Sequence, residues 1–195
     1  LDNTAIIFSS DHGDYLGDHD LIGKGSFYEA STHVPLIACP AGGIEAEVYG
    51  GLVELGDVTA TLLNLGGCQV PSYMDTLPLP GIGPATGRRR ERVVGMVQAG
   101  WMLYDGQWKL SKYTSGDVHL FDMENDAQEQ RNRAADPTCA ERLAAMDGEL
   151  TQEIMRSIIA ANGEKAVDLG TGLWDSDQYG REGRERCYPQ ISGAV

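Results

Sequence analysis

The sequence predicts an α/β fold: a strand–loop–strand–helix unit followed by a small antiparallel sheet packed with a C-terminal helix. Three observations carry this. Two short, unbroken apolar runs, Ile6-Ile7-Phe8 and Val34-Pro35-Leu36-Ile37-Ala38-Cys39, each end in polar or glycine-rich segments. Strand-like runs separated by tight turns occupy 93–121, and an apolar stripe of helical period occupies 143–158.

Continuous apolar runs suit strands buried on both faces of a parallel sheet, and Pro35 near a strand start costs no ladder hydrogen bond. Between the runs, a glycine-punctuated loop (13–25) leads into Ser26-Phe27-Tyr28-Glu29-Ala30-Ser31, expected as a short helical turn. Asp57 is placed to N-cap a helix over 58–65 that Gly66-Gly67 stops. Residues 68–90 carry several Pro and Gly with little periodicity and are expected to form a long surface connection.

Val93-Val94-Gly95-Met96-Val97, Trp101-Met102-Leu103-Tyr104, Gln107-Trp108-Lys109-Leu110-Ser111-Lys112-Tyr113 and Val118-His119-Leu120-Phe121 are short strand candidates. Asp105-Gly106 and Ser115-Gly116 between them predict antiparallel hairpins. Asp136-Pro137 supplies an N-cap with proline at the first helical position. Leu143, Met146, Leu150, Ile154 and Ile158 then recur every three or four residues, predicting a helix that ends near Gly163 and covers one face of the hairpin sheet. From Lys165 onward the chain is polar and glycine-rich, a loosely held tail with Trp174 and Tyr179 as anchors. The expected organisation is therefore 1–90 as an α/β core part, 91–163 as a C-terminal subdomain and 164–195 as a tail.

A formal charge of −14 over 195 residues argues against a nucleic-acid binder or a basic membrane-surface protein, both of which depend on clustered Lys and Arg. The one basic cluster, Arg88-Arg89-Arg90-Glu91-Arg92, is accounted for by an exposed connection. No apolar stretch approaches the roughly 20 residues that span a bilayer. Cys39, Cys68, Cys139 and Cys187 lack the spacing of a zinc knuckle or a disulfide framework and are expected as free thiols. The chain opens at Leu1, directly ahead of a core strand, so a preceding segment is expected.

Chemistry concentrates after the first strand, at Ser9-Ser10-Asp11-His12-Gly13-Asp14. In open α/β sheets ligands bind beyond the carboxyl ends of the strands. On a loop free of strand alternation, a neighbouring carboxylate and imidazole can turn toward one divalent cation. The competing expectation is that Asp11 caps a turn and His12 bonds a carbonyl.

Asp11-His12-Gly13-Asp14, Leu16-Gly17-Asp18-His19, Gly23-Lys24-Gly25-Ser26-Phe27-Tyr28-Glu29 and Val34-Pro35-Leu36-Ile37, in that order and spacing, resemble a signature of the sulfatase family within the alkaline phosphatase superfamily. The segment 53–65 and the hairpins running into Leu120-Phe121-Asp122-Met123-Glu124-Asn125-Asp126 resemble the same enzymes. The resemblance implies a C-terminal portion of such an enzyme, with Asp11 and His12 as one pair of metal ligands. The other pair, an Asp-Asp, would lie upstream. It implies Lys24 as the lysine that holds a sulfate oxygen. His19 would orient the loop, contact substrate or assist the leaving group, and His33 would be chiefly structural. Asp14 and Asp18 are expected as loop carboxylates, and His119 as a packing or surface residue.

The cation implied is divalent, Ca2+ before Mn2+ or Zn2+. The substrate implied is a small-molecule or saccharide sulfate ester. The family's nucleophile is a formylglycine made from Cys or Ser in a C-x-P-x-R or S-x-P-x-R segment. Cys39-Pro40-Ala41-Gly42 and Cys187-Tyr188-Pro189-Gln190 both fail that pattern, so the nucleophile is expected in an upstream segment and the isolated chain is expected to be inactive. The alternatives are a phosphonate monoester or phosphodiester hydrolase of the same superfamily and a non-catalytic interaction module. The compartment is not readable from these residues.

Overall fold

The computed structural model describes residues 2–71, 74–82, 89–163, 167–168 and 172–173. Two compact units, Leu1–Leu150 and Thr151–Val195, divide the chain. Trp174, Tyr179 and Cys187 lie outside the described residues.

The first unit opens with β1 (Ile6–Ser9), whose partner is β2 (Leu36–Cys39). The two pair antiparallel, Ile6 opposite Cys39 and Phe8 opposite Ile37, which corrects the expected parallel pairing. An apolar run specifies burial and says nothing of strand direction. Here the intervening chain turns through α1 (Glu29–Thr32) and returns beside β1 in the opposite sense. Nor are these strands buried on both faces: Phe8 and Ile37, directly opposed, are 59% and 63% exposed.

Helix α2 (Leu55–Leu65) starts earlier than expected, with Glu54 as N-cap and Asp57 inside the first turn. The two acids form a reciprocal capping box in which the Glu54 N–H donates to Asp57 Oδ2 at 3.0 Å. Asp57 is buried because its other oxygen has further work. Oδ1 accepts from the Leu77 N–H at 2.8 Å and from the Arg90 guanidinium at 2.5 Å. Arg90 also meets Glu54 at 3.0 Å. Thr61 Oγ1 donates to the Asp57 carbonyl and accepts from the Leu79 N–H at 2.7 Å.

The connection after α2 is therefore stapled to the helix, and Leu79 and Ile82 are buried. This corrects the expected surface course for the part of that connection around 76–82. Glycine and proline content predicted irregular backbone correctly, yet irregular backbone can enter a core when side chains satisfy its N–H groups. Two members of the basic cluster are consumed in structure, Arg90 as above and Arg92 by Glu149 at 2.7 Å.

Strands β3 (Val93–Val97), β4 (Gly100–Tyr104), β5 (Trp108–Tyr113) and β6 (Val118–Asp122) form an antiparallel meander in sequence order, as predicted. Register and strand alternation sort the side chains onto two faces. Leu103, Leu110 and Leu120 lie in one cross-strand row and are fully buried. Lys112 shares their face and meets Asp147 of α3 (Ala140–Gly163) at 2.5 Å. Arg142 of the same helix pairs with Asp105 and stands over the Trp108 ring.

The opposite face carries Met102, Lys109, Ser111, Tyr113, His119 and Phe121 and receives residues 27–29. Asp136 caps the turn Pro137–Cys139 ahead of α3, its side chain accepting from the Thr138 N–H at 2.9 Å. The apolar stripe of α3 is buried at Met146 and Leu150, while Ile158 is exposed, so the stripe is buried over its first part only. In the second unit, Val167–Asp168 and Gly172–Leu173 pair antiparallel within the expected tail.

Asp57→Ala removes the partner of a largely buried guanidinium together with the acceptor of two backbone N–H groups, and should cost about 3–5 kcal/mol in urea unfolding. Asp57→Asn, which keeps an acceptor oxygen, should recover part of that loss.

Candidate active site

β1 ends at Ser9, and the chain then leaves the sheet edge, so Asp11 and His12 sit on free loop backbone. Gly13 fixes that departure. Its N–H donates to the Ser31 carbonyl at 2.9 Å, and a Cβ at this position would lie 2.0 Å from the Ala30 carbonyl oxygen. Only glycine permits so close an approach.

His12 Nδ1 is 2.8 Å from the Gly13 carbonyl oxygen, which can only accept, so Nδ1 carries the proton. In the neutral ring Nε2 then presents its lone pair, 3.3 Å from Asp11 Oδ2. Asp11 Oδ1 accepts from the His12 N–H at 3.0 Å, and the carboxylate is 84% exposed. A carboxylate oxygen and an imidazole lone pair thus converge, oriented by an N–H to carbonyl bond of the kind that aims metal-ligating histidines. Among the described residues no cluster of three or more His, Cys, Asp or Glu is arranged to hold a metal ion. The pair fits half of a divalent-cation site and is incomplete by itself.

The loop that follows is closed on itself. Asp14 Oδ1 accepts from the N–H groups of Leu16 (3.0 Å) and Gly23 (3.2 Å), and the Tyr15 N–H donates to the Gly23 carbonyl at 2.8 Å. The Tyr15 hydroxyl donates to Ser26 Oγ and accepts from the Ser26 N–H. Asp14 is a structural staple. Lys24 is exposed next to Gly23 at the closed base of the loop, with no hydrogen bond or ion pair among the described residues, and none joins Lys24 or His19 to Asp11 or His12.

His19 lies in a left-handed turn, φ 55°, its ring stacked on Tyr28 at 3.8 Å and 9°. Its neighbour Asp18 shares a cavity of about 360 Å³ with His19, Glu29, His33 and Glu129. His33 Nδ1 reaches Glu29 Oε2 at 2.8 Å, one turn away, which suits a structural part. His119 packs among Tyr28, Tyr113 and Phe121.

Sequence reasoning missed the group that holds this loop to the sheet. Lys109 is 1% exposed, its ammonium 2.6 Å from Glu29 Oε1 and 2.7 Å from Glu129 Oε1. Glu129 Oε2 also accepts the Glu29 N–H at 2.6 Å, at the start of α1. The available signal was a lysine on the inward phase of an apolar strand, but nothing local names its partners, which lie 80 residues away in one case. Burial raises the Glu129 carboxyl above its ordinary value while Lys109 opposes the rise. Burial, then the Glu129 charge, raise the Tyr28 phenol.

Because burial outweighs the opposing Lys109 ammonium, the folded state holds the Glu129 proton more tightly than the unfolded chain does. That contribution to stability is complete below the ordinary value of 4.5 and is lost as pH rises through the raised one. Replacement by the neutral amide, Glu129→Gln, should flatten the fall of unfolding free energy with pH just above 4.5. Gly13→Ala should lower stability by about 1–3 kcal/mol, as overpacking does. Urea titrations across pH check both.

An Asp-His pair past a strand end, a capped helix and a C-terminal antiparallel meander agree with the alkaline-phosphatase-like α/β class that the sequence resemblance implies. Comparison with known proteins agrees with this and narrows it. The sulfatase family model matches residues 1–68. Choline-sulfatase of Rhizobium meliloti (strain 1021) is 36% identical over 148 residues, 70% of this chain and 28% of that protein. Arylsulfatase K of Homo sapiens is 30% identical over 151 residues, 69% of this chain and 28% of that protein. The solved structure of a 2-O GAG sulfatase superposes with a TM-score of 0.71 at 28% identity, covering 83% of this chain and 38% of the other. The chain is similar to members of the sulfatase family and spans under two fifths of the length of these relatives.

Proposed function

We propose that this chain is the C-terminal part of a metal-dependent sulfuric ester hydrolase acting on a small-molecule or saccharide sulfate ester. Asp11 and His12 would hold one side of a divalent cation, Ca2+ before Mn2+ or Zn2+. The support is the convergence of the Asp11 carboxylate with the His12 Nε2 lone pair, 3.3 Å apart and oriented by Gly13. When bound, the cation would offset negative charge on the sulfate group.

Lys24 would hold a sulfate oxygen. Its ammonium has no partner among the described residues and sits on a flexible stem, which suits charge neutralisation on a transferring group. His19, with its ring orientation set by Tyr28, would contact substrate or assist the leaving group. The remaining ligands and a formylglycine nucleophile would come from a segment upstream of this sequence, so the domains expected at 1–90 and 91–163 would complete, not constitute, the enzyme.

In the complete enzyme, Lys24→Ala should slow turnover of an aryl sulfate by about 10²- to 10³-fold, the loss expected when one electrostatic stabiliser is removed. An unchanged rate removes Lys24 from the site. The 195-residue chain alone should show no turnover. Comparing rates on aryl sulfate and aryl phosphonate separates this reaction from phosphonate monoester hydrolysis.

A further inference from the structure

Three residues other than glycine in the loop after Gly13 take left-handed backbone: Leu16 (φ 50°), His19 (φ 55°) and Asp20 (φ 59°). For residues other than glycine that conformation is unfavourable by about 1–2 kcal/mol each, so something outside the turn must hold it. The loop's own hydrogen bonds close its base, Tyr15 to Gly23 and Gly17 to Leu21, without touching the His19 side chain. Among the described residues that side chain has one aromatic partner, Tyr28, at 3.8 Å and nearly parallel. Tyr28 is in turn set against the hairpin sheet, 6.1 Å from His119 and 6.0 Å from Phe121, with Tyr15 edge-on at 6.4 Å. The backbone just beyond it is anchored where the Glu29 N–H meets Glu129.

We propose that Tyr28 is the positioning residue of the site loop: its ring, backed by His119 and Phe121 of β6, clamps His19 and so holds the turn whose base closes at Gly23, which sets the place of the adjoining Lys24. The proposal rests on the roles given above to His19 and Lys24, and adds that the C-terminal sheet dictates their placement through one aromatic column. The clamp itself is a property of the chain and is measurable without turnover. Stacking at this distance imposes a ring-current displacement on the His19 imidazole protons. A fixed loop also resists trypsin at Lys24-Gly25, since cleavage requires local opening.

The test uses the 195-residue chain. In the unmodified chain and in Tyr28→Phe, which keeps the ring, the His19 ring protons should resonate upfield of their random-coil positions and cleavage at Lys24 should be slow. In Tyr28→Leu the displacement should vanish and cleavage should accelerate about three- to tenfold, the population change expected from losing one aromatic pair. His19→Ala breaks the column from the loop side without disturbing the sheet and should give the same acceleration, which keeps the test decisive if Tyr28→Leu fails to fold.

Random-coil shifts for His19 in the unmodified chain, or unchanged cleavage in His19→Ala, would overturn the clamp. In the complete enzyme, Tyr28→Leu should lower kcat for an aryl sulfate at least about tenfold with KM less affected, and Tyr28→Phe should restore it. An unchanged kcat in Tyr28→Leu would overturn the positioning role. A complete enzyme silent toward sulfate esters would instead overturn the proposed reaction, and the clamp would still be decided by the proton shifts and the cleavage rate.

Discussion

A single buried ammonium holds the first unit together around its site. Lys109 projects from the middle of the hairpin sheet into contact with Glu29 and Glu129, two carboxylates brought from distant parts of the sequence. Taking the Lys109 and Glu129 charges out of water is costly, and the arrangement is tolerable because Glu129 also accepts a backbone N–H and the ammonium contacts both it and the half-buried Glu29. The consequence is positional: α1, and the loop that enters it, cannot shift relative to β5 without leaving a buried charge unpaired.

That constraint explains the form of the sheet. Its leucine row faces the first part of α3, so one side is an ordinary apolar core. Its other side is made of Lys109, Ser111, Tyr113, His119 and Phe121, polar and aromatic groups that need partners with direction. Phe27, Tyr28 and Glu29 supply one apolar, one stacking and one ionic contact in three consecutive residues. The meander thus has a second office beyond completing a core, since the segment it binds leads directly out of the loop that carries His19 and Lys24. A short loop with several left-handed residues would not keep one conformation unaided.

Much of this was legible locally. The four strands and two of the three turns between them followed from apolar runs broken by Asp-Gly and Ser-Gly, and the last helix from its period, its Asp-Pro signal marking the turn that leads into it. The Asp-His-Gly segment stood out because its residue types suit a cation and its place after a strand suits a ligand. What failed were inferences needing a distant partner. Asp57 was taken for a cap because an exposed acid before a helix usually is one, whereas Arg90 draws it into the first turn and buries it. The segment after α2 was taken for surface because its backbone is irregular, whereas Asp57 and Thr61 satisfy its N–H groups and allow Leu79 and Ile82 inward. Strand direction in β1 and β2 was misjudged because hydrophobicity has no sign along the chain.

By itself, the sequence determined the elements, the order of the site motifs and the resemblance to sulfatases, since each depends on residues close together in the chain. Tertiary structure alone decided that β1 and β2 run antiparallel, that Lys109 is buried between Glu29 and Glu129, and that Tyr28 stands between His19 and the sheet. The reason is physical. Propensity and period are properties of short stretches, whereas a buried charge or a stacked ring acquires its meaning from whichever group the folded chain brings opposite it.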